Sequence, residues 1–233
     1  MLTIAHRGAS AKYPENTLSA FIAAIEAGAD MCEFDVRMTR DGEVVVIHDA
    51  TVNRTTGGRG TVAAMDLAAL KRLDAGARFG SNFRAERIPT LDEVAAALGG
   101  RCGMDVELKA ARLEQNVCEI LRRHGVTDSA VVSSFDWDQL KIIAEAEPGI
   151  RLALLANEEP AAMLEAAVAM RAYAAAPRFN LVNRELCAEA HSRGLKVLTW
   201  TVDRRGPMSR FIADGVDGIM TNYPERLRRI IKG

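Results

Sequence analysis

Short apolar runs alternate with amphipathic stretches along nearly the whole chain. TIAH, MCEFDV, GMDVEL, AVVSSF, RLALL, YAAA, KVLTW and GIMT read as strands. Between and after them, TLSAFIAAIEAG, LDEVAAALG, LEQNVCEILRRHG, DQLKIIAEAE, PAAMLEAAVAMRA, RELCAEAHSRG, PMSRFIADG and PERLRRIIK carry helical periodicity. Several of these end at glycine or just before it, where helices commonly stop. Eight strand–helix units in 233 residues predict an α/β protein with a (β/α)8 TIM-barrel fold, read as one domain over residues 1–233. A doubly wound open sheet is the main rival, but it does not need eight units.

One place breaks the rhythm. After the second strand comes RMTRDGEVVVIHD, in which Asp41-Gly42 signals a two-residue hairpin turn. Residues 49–89 then run on before the next helix, too long for an ordinary strand-to-helix connection. The expectation is a small insertion over the C-terminal mouth of the barrel, the face on which barrel enzymes build their active sites.

Candidate chemistry begins with CEFDVR. Strand side chains alternate, so Glu33, Asp35 and Arg37 share one face while Phe34 and Val36 take the other. MDVELK repeats the pattern with Asp105, Glu107 and Lys109. Carboxylates converging from neighbouring strands suit oxygen ligation of a hard divalent cation. The competing reading is neutralisation by Arg37 and Lys109 in salt bridges.

Of four histidines, His6 and His48 end strand-like runs on the face where the carboxylates converge, whereas His124 and His191 fall at helix C-terminal turns and read as caps or surface groups. Two imidazoles beside a cation suit hydrolysis or group transfer, one removing a proton and one protonating the leaving oxygen. Arg7 offers a planar two-pronged donor for a phosphate, and Gly8 permits a sharp turn after it. Together these residues specify a phosphoryl-transfer site.

Charge changes little in this picture. Thirty basic and thirty-one acidic side chains leave a net charge of −1, which gives no general footprint for nucleic acid or an anionic membrane. Residues 49–89 hold seven Lys/Arg against four Asp/Glu, a local excess of about +3. Cys32, Cys102, Cys118 and Cys187 are scattered without a Cys-x-x-Cys pair and read as buried free thiols. No apolar run is long enough to span a bilayer, and no basic n-region precedes an apolar stretch. A cytoplasmic setting without membrane insertion is the expectation.

The motifs HRG, PENT, GAD with EFDVRMTRDG, VVIHD, RTTGGRG, IPTLDEV, ELK, WTV and GVDGIMT stand in an order that resembles the glycerophosphodiester phosphodiesterase family, from residue 6 to about 224. The resemblance implies hydrolysis of glycerophosphodiesters to sn-glycerol 3-phosphate and an alcohol. It implies His6 and His48 as the acid/base pair. Glu33, Asp35 and Glu107 match the ligands of one divalent cation, magnesium or calcium. Arg7 and Lys109 match phosphate-binding residues, and Trp200 matches an aromatic at the substrate mouth. The implied partner is a small diester, with nucleic acid excluded.

Two departures stand out. Where family members usually carry Thr-Asp-x-Pro near the end, this chain has TNYP, with Asn222 in place of the acid; activity is expected to survive, since the expected metal ligands lie elsewhere. MRAYAAAPRFNLVNREL also matches poorly, on the face where the alcohol portion could lie. Two other functions compete. A phospholipase D-like enzyme on lysophospholipids or sphingolipids would favour a hydrophobic groove or an exposed apolar loop at the mouth, and the insertion is polar and basic. A non-catalytic phosphate- or lipid-binding barrel would be marked by loss of His6, His48 or a ligand, and none is lost.

Overall fold

Eight parallel strands close into a barrel in the computed structural model, which describes all of residues 1–233. They are β1 (Leu2–His6), β2 (Met31–Met38), β4 (Gly103–Leu108), β5 (Ala130–Ser134), β6 (Arg151–Ala156), β7 (Ala174–Pro177), β8 (Lys196–Thr199) and β9 (Gly218–Thr221). Their order around the barrel is β1-β9-β8-β7-β6-β5-β4-β2, and pairing of β1 with β2 (Ala5 opposite Cys32) closes the ring. The ninth strand, β3 (Val44–Val46), lies antiparallel outside β2.

The helices follow the predicted sequence: α1 (Leu18–Glu26), α3 (Leu91–Leu98), α4 (Glu114–Arg123), α5 (Trp137–Ala146), α6 (Pro160–Ala169), α7 (Arg184–Ser192), α8 (Arg205–Asp214) and α9 (Pro224–Lys232). A short extra helix, α2 (Leu67–Leu70), belongs to the segment 49–89. Local chemistry sets several starts. Thr90 caps α3 and accepts from Glu93 N–H, while the Glu93 carboxylate takes the Thr90 N–H, a reciprocal capping box.

Strand alternation divides the core in two. Phe34, Val36, Val106, Leu152 and Leu154 point outward and pack under the helices with Phe21 and Phe211. Ile4, Met31, Val131, Leu155, Leu198 and Met220 point inward and fill the barrel. On β2 and β4 the inward positions carry carboxylates instead, and that departure from an apolar filling marks the functional end.

The segment 49–89 has a small core of its own, in which Val52, Val62, Leu70, Ala75 and Ile88 pack against Val45 and Ile47. The predicted two-residue turn at Asp41-Gly42 is corrected. Thr39 N–H bonds the Glu43 carbonyl at 2.9 Å, leaving Arg40, Asp41 and Gly42 as the turn, with Gly42 left-handed at φ 85°. The strand twist accommodates this three-residue form, and the Thr39 hydroxyl ties it by accepting from Glu43 N–H at 2.9 Å. All four cysteines are buried and free.

Candidate active site

β2 and β4 pair in a register that sets Asp35 beside Glu107 and Glu33 beside Asp105. The side chains of Glu33, Asp35 and Glu107 converge inside the barrel mouth, each offering an oxygen within 4.8 Å of the others. All three are buried. Glu33 Oε1 and Asp35 Oδ1 have no hydrogen-bond partner, an expensive state for buried carboxylates unless a cation completes it. Arg7 Nε lies 3.2 Å from Asp35, and Lys109 Nζ lies 2.5 Å from Glu107 and 3.6 Å from Asp35. Those cations answer part of the charge. The oxygen-only donor set fits a hard divalent ion such as Mg2+ or Ca2+.

The electrostatics carry the same signature. Burial, then repulsion from Asp35 and Glu107, pushes the Glu33 carboxyl well above its ordinary range. Glu107 is pushed up to about 7 by burial and by Asp35, against Lys109. Burial opposes ionisation of Asp35 too, but Arg7 and Lys109 hold it below its usual value. Asp105, fully buried, accepts from the Ser133 hydroxyl at 2.7 Å and stays outside the cluster, with burial pushing it up to about 7.

Arg37 does not neutralise the carboxylates; it donates to the carbonyls of His48 and Lys109, both at 2.8 Å. It sits past the point where β2 faces the barrel interior, so its reach is to loop backbone. The salt-bridge reading survives only in part, through Lys109.

A stability prediction follows for metal-free protein. The Glu107 carboxyl, ordinarily at 4.5, is held in the fold at about 7, so within that window the unfolded chain has released a proton that the fold retains. Stability therefore falls as pH rises through it. Glu33 and Asp105 act in the same direction. His6, lowered from 6.5 to about 4, acts oppositely below about pH 6.5 and is outnumbered. Thermal melts should give a higher Tm near about pH 5 than near about pH 8, with added Mg2+ or Ca2+ raising Tm more at the higher pH. A metal-free protein more stable near about pH 8 would contradict the cluster's electrostatics.

The two histidines stand at the same mouth. His6 ends β1, with Nε2 4.0 Å from Glu33 Oε2 and Nδ1 2.7 Å from Asn222 Oδ1. Burial, then the neighbouring Arg7 charge, lowers its pKa to about 4. The chain turns directly afterwards: Arg7 and Gly8 are left-handed at φ 57° and 80°. A Cβ on Gly8 would lie 2.7 Å from the Ala20 backbone, so both conformation and space require glycine there.

His48 follows β3, with Nδ1 2.7 Å from Asp49 Oδ1. Arg54, from the 49–89 segment, donates to both oxygens of Asp49 at 2.8 and 3.0 Å and to Glu15 at 2.6 and 2.8 Å. Glu15 in turn accepts from Arg7 at 2.9 Å. One continuous network thus joins the phosphate-type arginine to the His48 ring. Arg54, then His48, holds the Asp49 carboxyl far below the usual range.

Sequence reasoning did not single out Asp49, Arg54 or Glu15 as site residues. Asp49 directly follows His48, and Glu15 and Arg54 lie in the PENT and RTTGG motifs, the only local signals. His124 and His191 lie in distant surface pairs with Asp92 and Asp217, at 2.9 and 2.8 Å.

Between the polar groups and an apolar wall lies a cleft of about 490 Å3. Phe135, Leu155, Trp200 and Met220 form the wall. Trp200 is placed where expected, its Nε1 donating to the Ala176 carbonyl at 2.9 Å and its ring edge-on to Phe135 at 5.5 Å between centroids. Phe135, at the end of β5, is a lining residue that the sequence reading passed over. Such a cleft can seat a phosphate against Arg7 and Lys109 while carbon atoms lie on the aromatic side. No helix is long and apolar enough to cross a membrane.

Comparison with known proteins gives a consistent picture. The Glycerophosphoryl diester phosphodiesterase family pattern matches residues 6–226. A glycerophosphodiester phosphodiesterase of Caldanaerobacter subterraneus subsp. tengcongensis is 38% identical over 99% of this chain and 98% of its own length. One from Bacillus subtilis is 32% identical over 100% of this chain and 87% of its own. Among solved structures, an Oleispira antarctica phosphodiesterase in complex with the product sn-glycerol-3-phosphate matches with a TM-score of 0.93 and 30% identity, over 99% of this chain and 96% of that one.

Proposed function

The chain belongs to the glycerophosphoryl diester phosphodiesterase family and is a phosphodiesterase of that class, and from that premise we propose that it hydrolyses water-soluble glycerophosphodiesters to sn-glycerol 3-phosphate and an alcohol, using one divalent cation and the pair His6 and His48. The observation that carries the reading is the buried cluster of Glu33, Asp35 and Glu107, with unpartnered oxygens, opening on the cleft that both histidines line. Residues 1–233 act as one catalytic unit in this reading, with 49–89 supplying Arg54.

Glu33, Asp35 and Glu107 hold the cation, Mg2+ or Ca2+, which supplies a Lewis acid for a phosphoryl oxygen. Arg7 and Lys109 offset the negative charge that develops on the phosphoryl oxygens. His6 is neutral at working pH, held there by burial and Arg7, and takes the proton of the attacking hydroxyl. His48, whose Nδ1 meets the Asp49 carboxylate that orients its ring, is the group that protonates the departing alkoxide. Trp200 and Phe135 hold the glycerol carbons. Four free buried thiols suit a cytoplasmic enzyme.

The substrate class is testable with a panel. Glycerophosphocholine, glycerophosphoethanolamine and glycerophosphoglycerol should release sn-glycerol 3-phosphate with kcat/KM at least about tenfold above any lysophospholipid, since one extended apolar contact surface is needed to reward an acyl chain. Preference for lysophosphatidylcholine would favour the phospholipase D-like alternative. Release from none would favour a binding barrel.

A further inference from the structure

His6 is oriented from a distance. Asn222 follows β9 and lies beside the start of the loop after β1, where its amide reaches in two directions. Its Nδ2 stands 2.7 Å from Asp203 Oδ2. A carboxylate only accepts, so the end of the amide facing Asp203 must be the NH2 group. That leaves Oδ1 facing His6 Nδ1 at 2.7 Å and the Ser10 hydroxyl at 2.7 Å. An amide oxygen also only accepts, so His6 carries its proton on Nδ1. The lone pair of a neutral ring is then on Nε2, the nitrogen 4.0 Å from Glu33 at the cation cluster.

We propose that Asp203 is a positioning residue that fixes the tautomer of His6 through the amide of Asn222. Asp203 is itself held firmly: its Oδ1 accepts from Asn222 N–H at 2.9 Å and from the Thr221 hydroxyl at 3.0 Å. The carboxylate that TNYP lacks at position 222 stands one hydrogen bond further from the ring. Without an acceptor at 203, the Asn222 amide is free to rotate and present its NH2 to Nδ1. His6 would then hold its proton on Nε2, with no lone pair at the cleft. The separation of 216 residues between His6 and Asn222 explains why neither partner is legible from the strand that bears the histidine.

The inference rests on the reading of His6 as an acid–base group, and a charge swap tests it separately from that reading. Asp203→Asn leaves two amides facing each other. It should lower kcat about 10²-fold with KM within about threefold, a wrong tautomer at an acid–base histidine costing up to about 10⁴-fold. Asp203→Asn combined with Asn222→Asp restores an acceptor facing a donor in the reverse order. It should return kcat to within about threefold of the starting enzyme.

Long-range 1H–15N spectra of the His6 ring should show an Nδ1–H tautomer in the unsubstituted protein and in the double variant, and an Nε2–H tautomer in Asp203→Asn. Should that single variant not fold, Asp203→Ala removes the acceptor facing the Asn222 amide without adding a donor, and kcat and tautomer should shift in the same direction. Unchanged kcat and tautomer in the variant at 203, or a double variant no better than Asp203→Asn, would overturn the proposal. If His6→Ala keeps activity while the ring signals still respond to position 203, the coupling stands and the catalytic reading of His6 fails.

Discussion

Replacing His48 by alanine is expected to lower kcat for sn-glycerol 3-phosphate release by about 10²–10⁴-fold, the range that a positioned general acid contributes. Its side chain is about one-third exposed (33%) and contacts Asp49 through Nδ1 rather than the apolar core. Removing it leaves no cavity, so Tm should shift by no more than a few degrees, on the order of a surface substitution. KM should change little, because the proposed function assigns phosphate binding to Arg7 and Lys109. His6→Ala should lose turnover on the same scale, but its ring is mostly buried and bonded to Asn222. A modest loss of Tm is expected there, from the lost hydrogen bond to Asn222 Oδ1. Steady-state kinetics beside thermal melts separate the two effects. Near-normal kcat in either variant would remove that histidine from the acid–base pair.

Glu107→Gln is the second large effect. The substitution keeps the shape of the side chain and removes one of three carboxylates from the cluster. Cation affinity at an oxygen site depends on the count of ligand charges. The metal concentration for half-maximal activity should rise by about a hundredfold or more, at or above the upper end of what losing an outer-shell partner costs. Lys109 loses its ion-pair partner at 2.5 Å and retains Asp35 at 3.6 Å, so part of the phosphate-binding charge stays in place. In the metal-free state the same variant should lose part of the pH-dependent destabilisation, the share of the group held up to about 7, while that of Glu33 and Asp105 stays. An unchanged metal titration would take Glu107 out of the ligand set.

The fold was legible because each strand carries its own pattern. Phe34 and Val36 alternate with Glu33 and Asp35, and the structure puts the first pair under the helices and the second in the mouth. The same alternation read Glu107 correctly. It also placed Asp105 on that face, but alternation gives a face and not a partner: Asp105, opposite Glu33 in register, is taken up by Ser133 from β5. Arg37 shared the face as well, yet a long side chain at a strand end goes where carbonyls are free.

The hairpin turn was read one residue short, at its start. Asp-Gly signals a two-residue turn locally, while the register is set by Thr39 bonding Glu43. The networks behind the histidines were the least legible part. Arg54 and Glu15 stand 39 residues apart; Asn222 meets Asp203 because β8 and β9 are neighbours, and meets His6 because β9 closes the barrel next to β1. Family motifs carried some of these residues, such as those in PENT and RTTGG, without saying what they touch.

The central claim is a cation-dependent phosphodiesterase site at the mouth of the barrel. The measurement that tests it most directly is release of sn-glycerol 3-phosphate from glycerophosphocholine by metal-stripped protein, with Mg2+, Ca2+ or neither added. The account predicts release that is restored by one or both ions and negligible without them. Equal release in all three conditions would contradict the role assigned to Glu33, Asp35 and Glu107.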